Sequence, residues 1–148
     1  MSTSPVIIVT GGASGIGRAI CNTLLDSDDA RVVLVDLEEI ELKKLQDEKG
    51  AQRVQFVAGD VTEDETSAAA VDKAITTWGG LNGVALNAGI LAPVHRVSGA
   101  SAADWARIFQ VNVCAHVSMV RGSRSLDYIY WVLLLSHLLT LLWLLHTA

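Results

Sequence analysis

The sequence has few cysteines and no concentration of positive charge. Its two cysteines, Cys21 and Cys114, form neither a C-x-x-C motif nor a metal-ligand pattern, so we expect both to be buried, reduced thiols. The eleven Lys and Arg residues are scattered and are outnumbered by sixteen Asp and Glu, which gives a net charge of −5. A surface that binds nucleic acid is therefore not expected.

Two further absences narrow the function. The apolar run at residues 6–9 is short and follows no basic residue, so it does not predict a signal peptide. The histidines share no metal-ligand spacing, so we expect no metal site and interpret His95 as a solvated loop residue. The four are His95, His116, His137 and His146. A chain of 148 residues is long enough for one domain with one hydrophobic core.

Strand-like and helix-like segments alternate along the first 120 residues. Apolar, mostly β-branched runs predict strands at residues 5–9, 31–36, 53–58 and 82–86. Segments with helical spacing follow them, at residues 15–25, 37–49, 62–78 and 102–120. Thr62 and Glu65 predict a capping box at the start of the third helix. This order predicts a Rossmann-like α/β fold, a doubly wound parallel sheet truncated after about four strands.

A glycine-rich loop lies between the first strand and the first helix. Residues 10–17 place Gly11, Gly15 and Gly17 in the spacing T-G-x-x-x-G-x-G. Glycines let the backbone approach a ligand closely, and the N-terminus of a helix offers unpaired N–H groups and a partial positive charge. The loop is therefore predicted to bind phosphate groups.

The glycine spacing resembles that of the short-chain dehydrogenase/reductase family, and four later positions match the family's motifs in order. Asp36 ends the second strand, Asp60 follows the third, and Asn-Ala-Gly at residues 87–89 follows the fourth. Asn112 matches an Asn that interrupts a long helix in this family. The resemblance extends to about residue 120, which is the first half of a typical family member.

The resemblance implies a nicotinamide-cofactor site. Asp60 is expected to contact the adenine, and Val61 to flank its ring. Asn112 is the only member of the family's catalytic set that the sequence retains, and it is expected to hold a water molecule. The expected cofactor-binding residues are Thr10, Gly11, Ser14, Gly15, Ile16, Gly17, Asp36, Leu37, Asp60, Val61, Asn87, Ala88 and Gly89.

Residues near the second strand favour NAD over NADP. The Asp36 carboxylate can accept hydrogen bonds from the adenosine ribose hydroxyls and would repel a 2′-phosphate. Leu37 rather than an Arg follows it, and Ser14 supplies no positive charge before Gly15. The expected partners are therefore NAD(H) and, in the intact family, a small-molecule alcohol or ketone.

The sequence does not contain the family's catalytic pair. Family members transfer hydride between nicotinamide and an alcohol or carbonyl carbon, with a Tyr as the acid or base and a Lys four residues later that lowers its pKa. No Lys follows Lys73, and Val132 and Leu134 lie four residues after Tyr128 and Tyr130. We therefore expect cofactor binding without the family's catalysis.

The last part of the chain has a different composition. Residues 128–148 contain no Asp, Glu, Lys or Arg, and the predicted organisation is a half-domain at residues 1–120 followed by an apolar tail at 121–148. Three interpretations of the tail are open. It is the product of a misspliced or misannotated gene, a membrane anchor at residues 129–145, or an apolar helix packed on the sheet edge. Arg121 and Arg124 precede the anchor segment and predict a domain that faces the cytosol.

Two functions follow from these patterns. One is an NAD-dependent oxidoreductase by ancestry that is inactive in this form. The other is a non-catalytic nucleotide-binding fragment, either cytoplasmic or tethered to a membrane. Family members usually form homo-oligomers through helices that include the one containing Asn112, but the loss of the second half leaves the oligomeric state open.

Overall fold

The computed structural model describes residues 4–27, 29–91 and 99–123. Strands and helices alternate along them as the sequence predicts. They are β1 (Val6–Thr10), α1 (Gly15–Ser27), β2 (Arg31–Asp36), α2 (Glu39–Lys49), β3 (Val54–Ala58), α3 (Asp64–Trp78), β4 (Gly83–Ala85), α4 (Ala102–Phe109) and α5 (Ala115–Gly122). A π-helical segment, Gln110–Cys114, joins α4 to α5.

The four strands form one parallel sheet in the order β3-β2-β1-β4. Ile8 of β1 lies opposite Val33 of β2 on one side and opposite Val84 of β4 on the other. The second and third strands are therefore added in turn on one side of β1, and β4 pairs with β1 on its other side. Ligands of such sheets bind at the carboxyl ends of the two strands where the direction reverses, here β1 and β4. The predicted Rossmann-like fold is confirmed.

The sheet is covered by helices on both faces because alternate side chains of a strand point to opposite sides. Val33 and Val35 of β2 pack in a cluster with residues of α3 and α5. Val32 and Leu34 pack in a second cluster with residues of α1 and α2. All four side chains are fully buried, so β2 is an apolar run rather than an alternating one.

The helix predicted over residues 102–120 is interrupted. The π-helical segment Gln110–Cys114 divides it and places Asn112 at the interruption, as the family resemblance implies. The expectation that both cysteines are buried is wrong for Cys114, which is exposed, whereas Cys21 is buried. Cys114 lies on the outer side of the π-helical segment, whose inward-facing residues are Val111 and Asn112.

The capping box predicted from Thr62 and Glu65 is also wrong. Helix α3 begins at Asp64, and its N-cap, Glu63, makes no side-chain capping hydrogen bond. Thr62 therefore lies one residue before the N-cap, and its hydroxyl donates to Oδ1 of Asp60 at 2.7 Å. A capping box that sequence reasoning missed begins α4, where the Ser101 hydroxyl accepts from the Asp104 N–H.

Several predictions concern residues that the structure does not describe. The apolar tail, its segment at residues 129–145 and His95 all lie outside the described residues. Within residues 4–27, 29–91 and 99–123, no helix is long and apolar enough to cross a membrane.

Candidate cofactor site

A cleft of about 520 Å³ opens at the carboxyl ends of β1 and β4. It lies where the sheet topology predicts a ligand, and most of the predicted site residues line it. Those that do are Gly11, Ser14, Gly15, Ile16, Asp36, Leu37, Asp60, Val61, Asn87, Ala88, Gly89 and Asn112. Two predicted residues, Thr10 and Gly17, do not line the cleft but lie directly behind its wall.

The glycine loop has the backbone that its spacing requires. Gly11 and Gly15 have φ values of +68° and +51°, which residues other than glycine rarely adopt. A Cβ at Gly17 would lie 1.9 Å from the carbonyl oxygen of Gly11, so α1 and the loop can pack this closely only with glycine there. A Cβ at Gly15 would meet no atom within 4 Å, because the backbone there faces the open cleft.

Thr10 and Asn87 connect the ends of β1 and β4. The buried Thr10 hydroxyl accepts hydrogen bonds from the Asn87 and Ala88 N–H groups, each at 3.0 Å, and donates to Ala85 O at 3.3 Å. The Asn87 amide nitrogen donates to Thr10 O at 3.2 Å and to Gly11 O at 3.4 Å. These bonds hold the glycine loop and the Asn-Ala-Gly loop together as the back of the cleft.

Asp36 lies at the carboxyl end of β2, beside the glycine loop. Its Oδ2 accepts from the Ala13 N–H at 3.0 Å, and its Oδ1 accepts from the Leu37 N–H at 2.7 Å. Both donors are backbone groups of adjoining loops, so the carboxylate is oriented by the strand end and the glycine loop themselves. Oδ1 also accepts a longer hydrogen bond from the Glu38 N–H at 3.4 Å, so the more open acceptor position for a ligand hydroxyl is on Oδ2.

Asp60, at the end of the loop after β3, is held differently. Oδ1 accepts from the N–H and hydroxyl of Thr62, and Oδ2 accepts from the Arg107 guanidinium at 2.9 Å. The hydrogen bond from Arg107, followed by that from the Thr62 N–H, lowers the pKa of the Asp60 carboxyl from 3.8 to about 2. The Asp60 carboxyl is therefore ionised at neutral pH, and both Asp36 and Asp60 line the cleft.

Asn112 joins the helical layer to the loop after β4. Its side-chain oxygen accepts from the Ile90 N–H at 2.8 Å, and its amide nitrogen donates to Ile90 O at 3.0 Å. One helical turn later, the buried His116 ring places Nε2 2.9 Å from Ala88 O. The Asn-Ala-Gly loop is thus fixed to α5 and to the π-helical segment as well as to β1.

Five cleft-lining residues were not among the predicted ones: Gly59, Ile90, Leu91, Arg107 and Val111. Ile90 and Leu91 follow the Asn-Ala-Gly motif directly, so their position next to it was a usable signal. Arg107 is 47 residues from its partner Asp60, and no local pattern connects the two.

The arrangement fits a dinucleotide. The open backbone at Gly15 and the N-terminus of α1 suit a pyrophosphate, because backbone N–H groups and the helix dipole favour anions there. Asp36 and Asp60 offer acceptors for hydroxyl and amino groups. Within the described residues, no group of three or more His, Cys, Asp or Glu side chains is arranged to hold a metal ion.

Comparison with known proteins identifies the class. The family model for short chain dehydrogenases matches residues 5–126, so the chain belongs to the short-chain dehydrogenase/reductase family. An uncharacterised oxidoreductase of Saccharomyces cerevisiae is 37% identical over 116 residues, which are 78% of this chain and 45% of the relative. A benzil reductase of the same yeast, which forms (S)-benzoin, is 34% identical over 120 residues, covering 78% of this chain and 46% of its own.

Solved structures agree with this assignment. A yeast short-chain dehydrogenase/reductase superposes with a TM-score of 0.77 at 33% identity, covering 82% of this chain and 48% of the other. A Burkholderia phymatum member, solved in complex with NAD, gives 0.75 at 30% identity, covering 83% and 44%. The chain therefore spans about half the length of the curated relatives and solved structures that it matches.

Proposed function

We propose that this chain is the cofactor-binding half of a short-chain dehydrogenase/reductase and binds NAD(H) in preference to NADP(H). The observation that supports this most is the position of Asp36, whose carboxylate lines the cleft beside the glycine loop. A carboxylate there accepts hydrogen bonds from the 2′- and 3′-hydroxyls of the adenosine ribose and repels a 2′-phosphate. The NAD complex of the Burkholderia relative is consistent with the same cofactor.

In this proposal each wall of the cleft contacts a different part of the cofactor. The pyrophosphate lies on the glycine loop at Gly15 and Ile16, and the adenosine lies between Asp36 and Asp60. Leu37 and Val61 flank the adenine ring with apolar surface. Asn87, Ala88 and Gly89 lie beside the nicotinamide ribose and its linkage to the pyrophosphate, and Thr10 and Gly17 support the loop from behind.

The preference for NAD depends on the charges near the ribose. Leu37, which follows Asp36, is 65% exposed and presents no cation to a 2′-phosphate. Ser14, on the other side, is uncharged and lines the same cleft. A phosphate dianion placed beside the Asp36 carboxylate would therefore have repulsion without a compensating arginine or lysine from these positions.

We propose that hydride transfer is not performed by these 148 residues alone. The nicotinamide cofactor would supply the hydride chemistry, between its ring and an alcohol or ketone. The family's reaction also needs a Tyr whose pKa a neighbouring Lys lowers, and neither Tyr128 nor Tyr130 has a Lys four residues later. Asn112 is the one residue of the catalytic set present. The proposed boundary between the half-domain at 1–120 and the tail at 121–148 falls within the last turn of α5.

Calorimetric titration of the 148-residue chain with NADH and NADPH tests the proposal. We expect NADH to bind at least about tenfold more tightly, because a single ionic repulsion or charged hydrogen bond is worth about 1.5–3 kcal/mol. Asp36→Ala should bring the two affinities close together. Asp72→Ala is the matched control, because Asp72 is an exposed residue of α3 outside the cleft. Equal affinities before and after the Asp36 change would contradict the role of Asp36.

A turnover assay separates binding from catalysis. With secondary alcohols and NAD, the chain should bind cofactor and produce no NADH above the buffer rate. NADH production that disappears in Asp36→Ala would show that these residues complete a catalytic site, and the second part of the proposal would be wrong.

A further inference from the structure

An ion pair between Asp60 and Arg107, with 2.9 Å between Oδ2 and the guanidinium nitrogen, lines the cleft. The two side chains come from different layers of the fold, Asp60 from the loop after β3 and Arg107 from α4. Arg107 is the only positively charged residue among the described residues that line the cleft, and the two other charged lining residues are Asp36 and Asp60. The pair is therefore part of the cleft surface, not only a link between α4 and the loop after β3.

The hydrogen bonds of Asp60 leave it little acceptor capacity. A carboxylate has about four lone-pair positions, two on each oxygen. Oδ1 accepts from both the N–H and the hydroxyl of Thr62, at 2.9 and 2.7 Å, and Oδ2 accepts from Arg107 at 2.9 Å. One position on Oδ2 is left for a ligand, and its direction is fixed because each oxygen is already bonded.

We infer that Arg107 is a positioning residue that makes the cleft selective for a base with an exocyclic amino group. This inference rests on the proposed binding of NAD. The only N–H donor on the edge of a substituted adenine is the exocyclic amino group, and an ionised carboxylate can only accept. One fixed acceptor position matches one amino donor.

The affinity for the hypoxanthine analogue of NAD distinguishes a carboxylate with a fixed orientation from one that can move. In that base a carbonyl oxygen replaces the amino group, and the ring nitrogen beside it carries the N–H. A carboxylate held by Arg107 would face the carbonyl oxygen, which is an unfavourable contact between two acceptors. Without Arg107 the carboxylate is held only through Oδ1 by Thr62, so Oδ2 could shift to accept from the ring N–H, and the discrimination between the two bases would fall.

Arg121 supplies a matched control. Its guanidinium contacts Asp64 at 3.4 Å, so it also joins the α4–α5 layer to the start of α3. Neither Arg121 nor Asp64 lines the cleft. If both ion pairs only joined the layers, Arg107→Met and Arg121→Met would change cofactor binding to the same extent. If Arg107 positions Asp60, only Arg107→Met should reduce base selectivity.

The experiment measures the dissociation constants of NAD and its hypoxanthine analogue for the 148-residue chain and both variants. We expect the unchanged chain to prefer NAD about tenfold. Arg107→Met should weaken NAD binding about fivefold and reduce the preference to about twofold or less, because the fixed acceptor is lost. Arg121→Met should leave the affinity and the preference unchanged. A preference that is retained or increased in Arg107→Met would overturn the inference.

A second variant keeps the test decisive if Arg107→Met does not fold. Arg107→Lys retains the charge but not the planar guanidinium, so we expect part of the preference to be lost. Full retention in Arg107→Lys would count against a geometric role for the guanidinium. If the unchanged chain does not bind NAD, the proposed function fails. If it binds NAD but does not discriminate between the bases, only this inference fails.

Discussion

Asp36 and Asp60 lie on two sides of one cleft and are held in opposite ways. Asp36 is oriented by backbone N–H groups, those of Ala13, Leu37 and Glu38. Asp60 is oriented largely by side chains, and its guanidinium partner Arg107 comes from a helix 47 residues away. The Asp36 side therefore depends on the shape of the glycine loop, whereas the Asp60 side depends on packing between layers and on charge.

The largest expected effect is on the Asp36 side. In Gly17→Ala the new Cβ would lie 1.9 Å from Gly11 O, so α1 and the loop must separate. Overpacking of this kind costs about 1–3 kcal/mol of unfolding free energy or more, and we expect NADH binding to be lost as the loop moves. Urea unfolding and NADH titration measure the two effects.

Gly80→Ala is the control for that change, since a Cβ at Gly80 would meet nothing within 4 Å. It should leave NADH affinity unchanged. If Gly17→Ala also binds NADH normally, the Asp36 side does not depend on the loop shape in the way proposed.

The two carboxylates should differ in what they select. Asp36→Ala is expected to weaken NADH binding about tenfold and to reduce the preference over NADPH, because both depend on the ribose contact. Asp60→Ala is expected to weaken NADH and NADPH by the same factor, about fivefold, because the base is identical in the two cofactors. Parallel titrations measure both ratios. A change of the NADH/NADPH ratio in Asp60→Ala would show that the two sides are not independent.

The free energy of unfolding should depend on pH in acid because of the charge on Asp60. The pKa of Asp60 is lowered to about 2, so ionisation of this group stabilises the folded state above about pH 4. That contribution should be lost as the pH falls from about 4 to about 2. In Arg107→Met, Asp60 has no guanidinium partner, so the change in unfolding free energy over this pH range should be smaller. Carboxyl chemical shifts during a pH titration follow the group directly, and an unshifted Asp60 in the unchanged chain would refute the ion pair.

The smallest expected effect concerns the start of α4, which carries Arg107. Ser101→Ala should cost about 1 kcal/mol of unfolding free energy, because it removes the observed capping box with Asp104. Glu65→Ala should cost less than about 0.5 kcal/mol, because Glu65 is an exposed residue outside such a box. Thermal unfolding compares the two variants. A larger loss of stability in Glu65→Ala than in Ser101→Ala would contradict the observed caps and support the capping box predicted from the sequence.

The difference between the Asp36 and Asp60 sides of the cleft also explains which features could be predicted from the sequence. The alternation of strands and helices, the glycine loop and Asp36 at the end of β2 were predictable because each depends on residues that are close together in the sequence. Arg107 was not, because its contact with Asp60 exists only after the helical segment that carries it packs against the rest of the fold, through α5 on α3. The Thr62–Glu65 prediction failed because α3 begins at Asp64, which makes Glu63 rather than Thr62 the N-cap. Cys114 is exposed because the inward-facing residues follow one helical stripe that does not include it, namely Ile108, Val111, Asn112, Ala115, His116 and Met119.

The most direct test of the central claim is a crystal structure of the 148-residue chain with NAD bound. The adenine should lie between Leu37 and Val61, with the ribose hydroxyls within hydrogen-bond distance of Asp36 and the pyrophosphate on the loop at Gly15. Cofactor bound at any other surface, or a ribose that does not contact Asp36, would contradict the account.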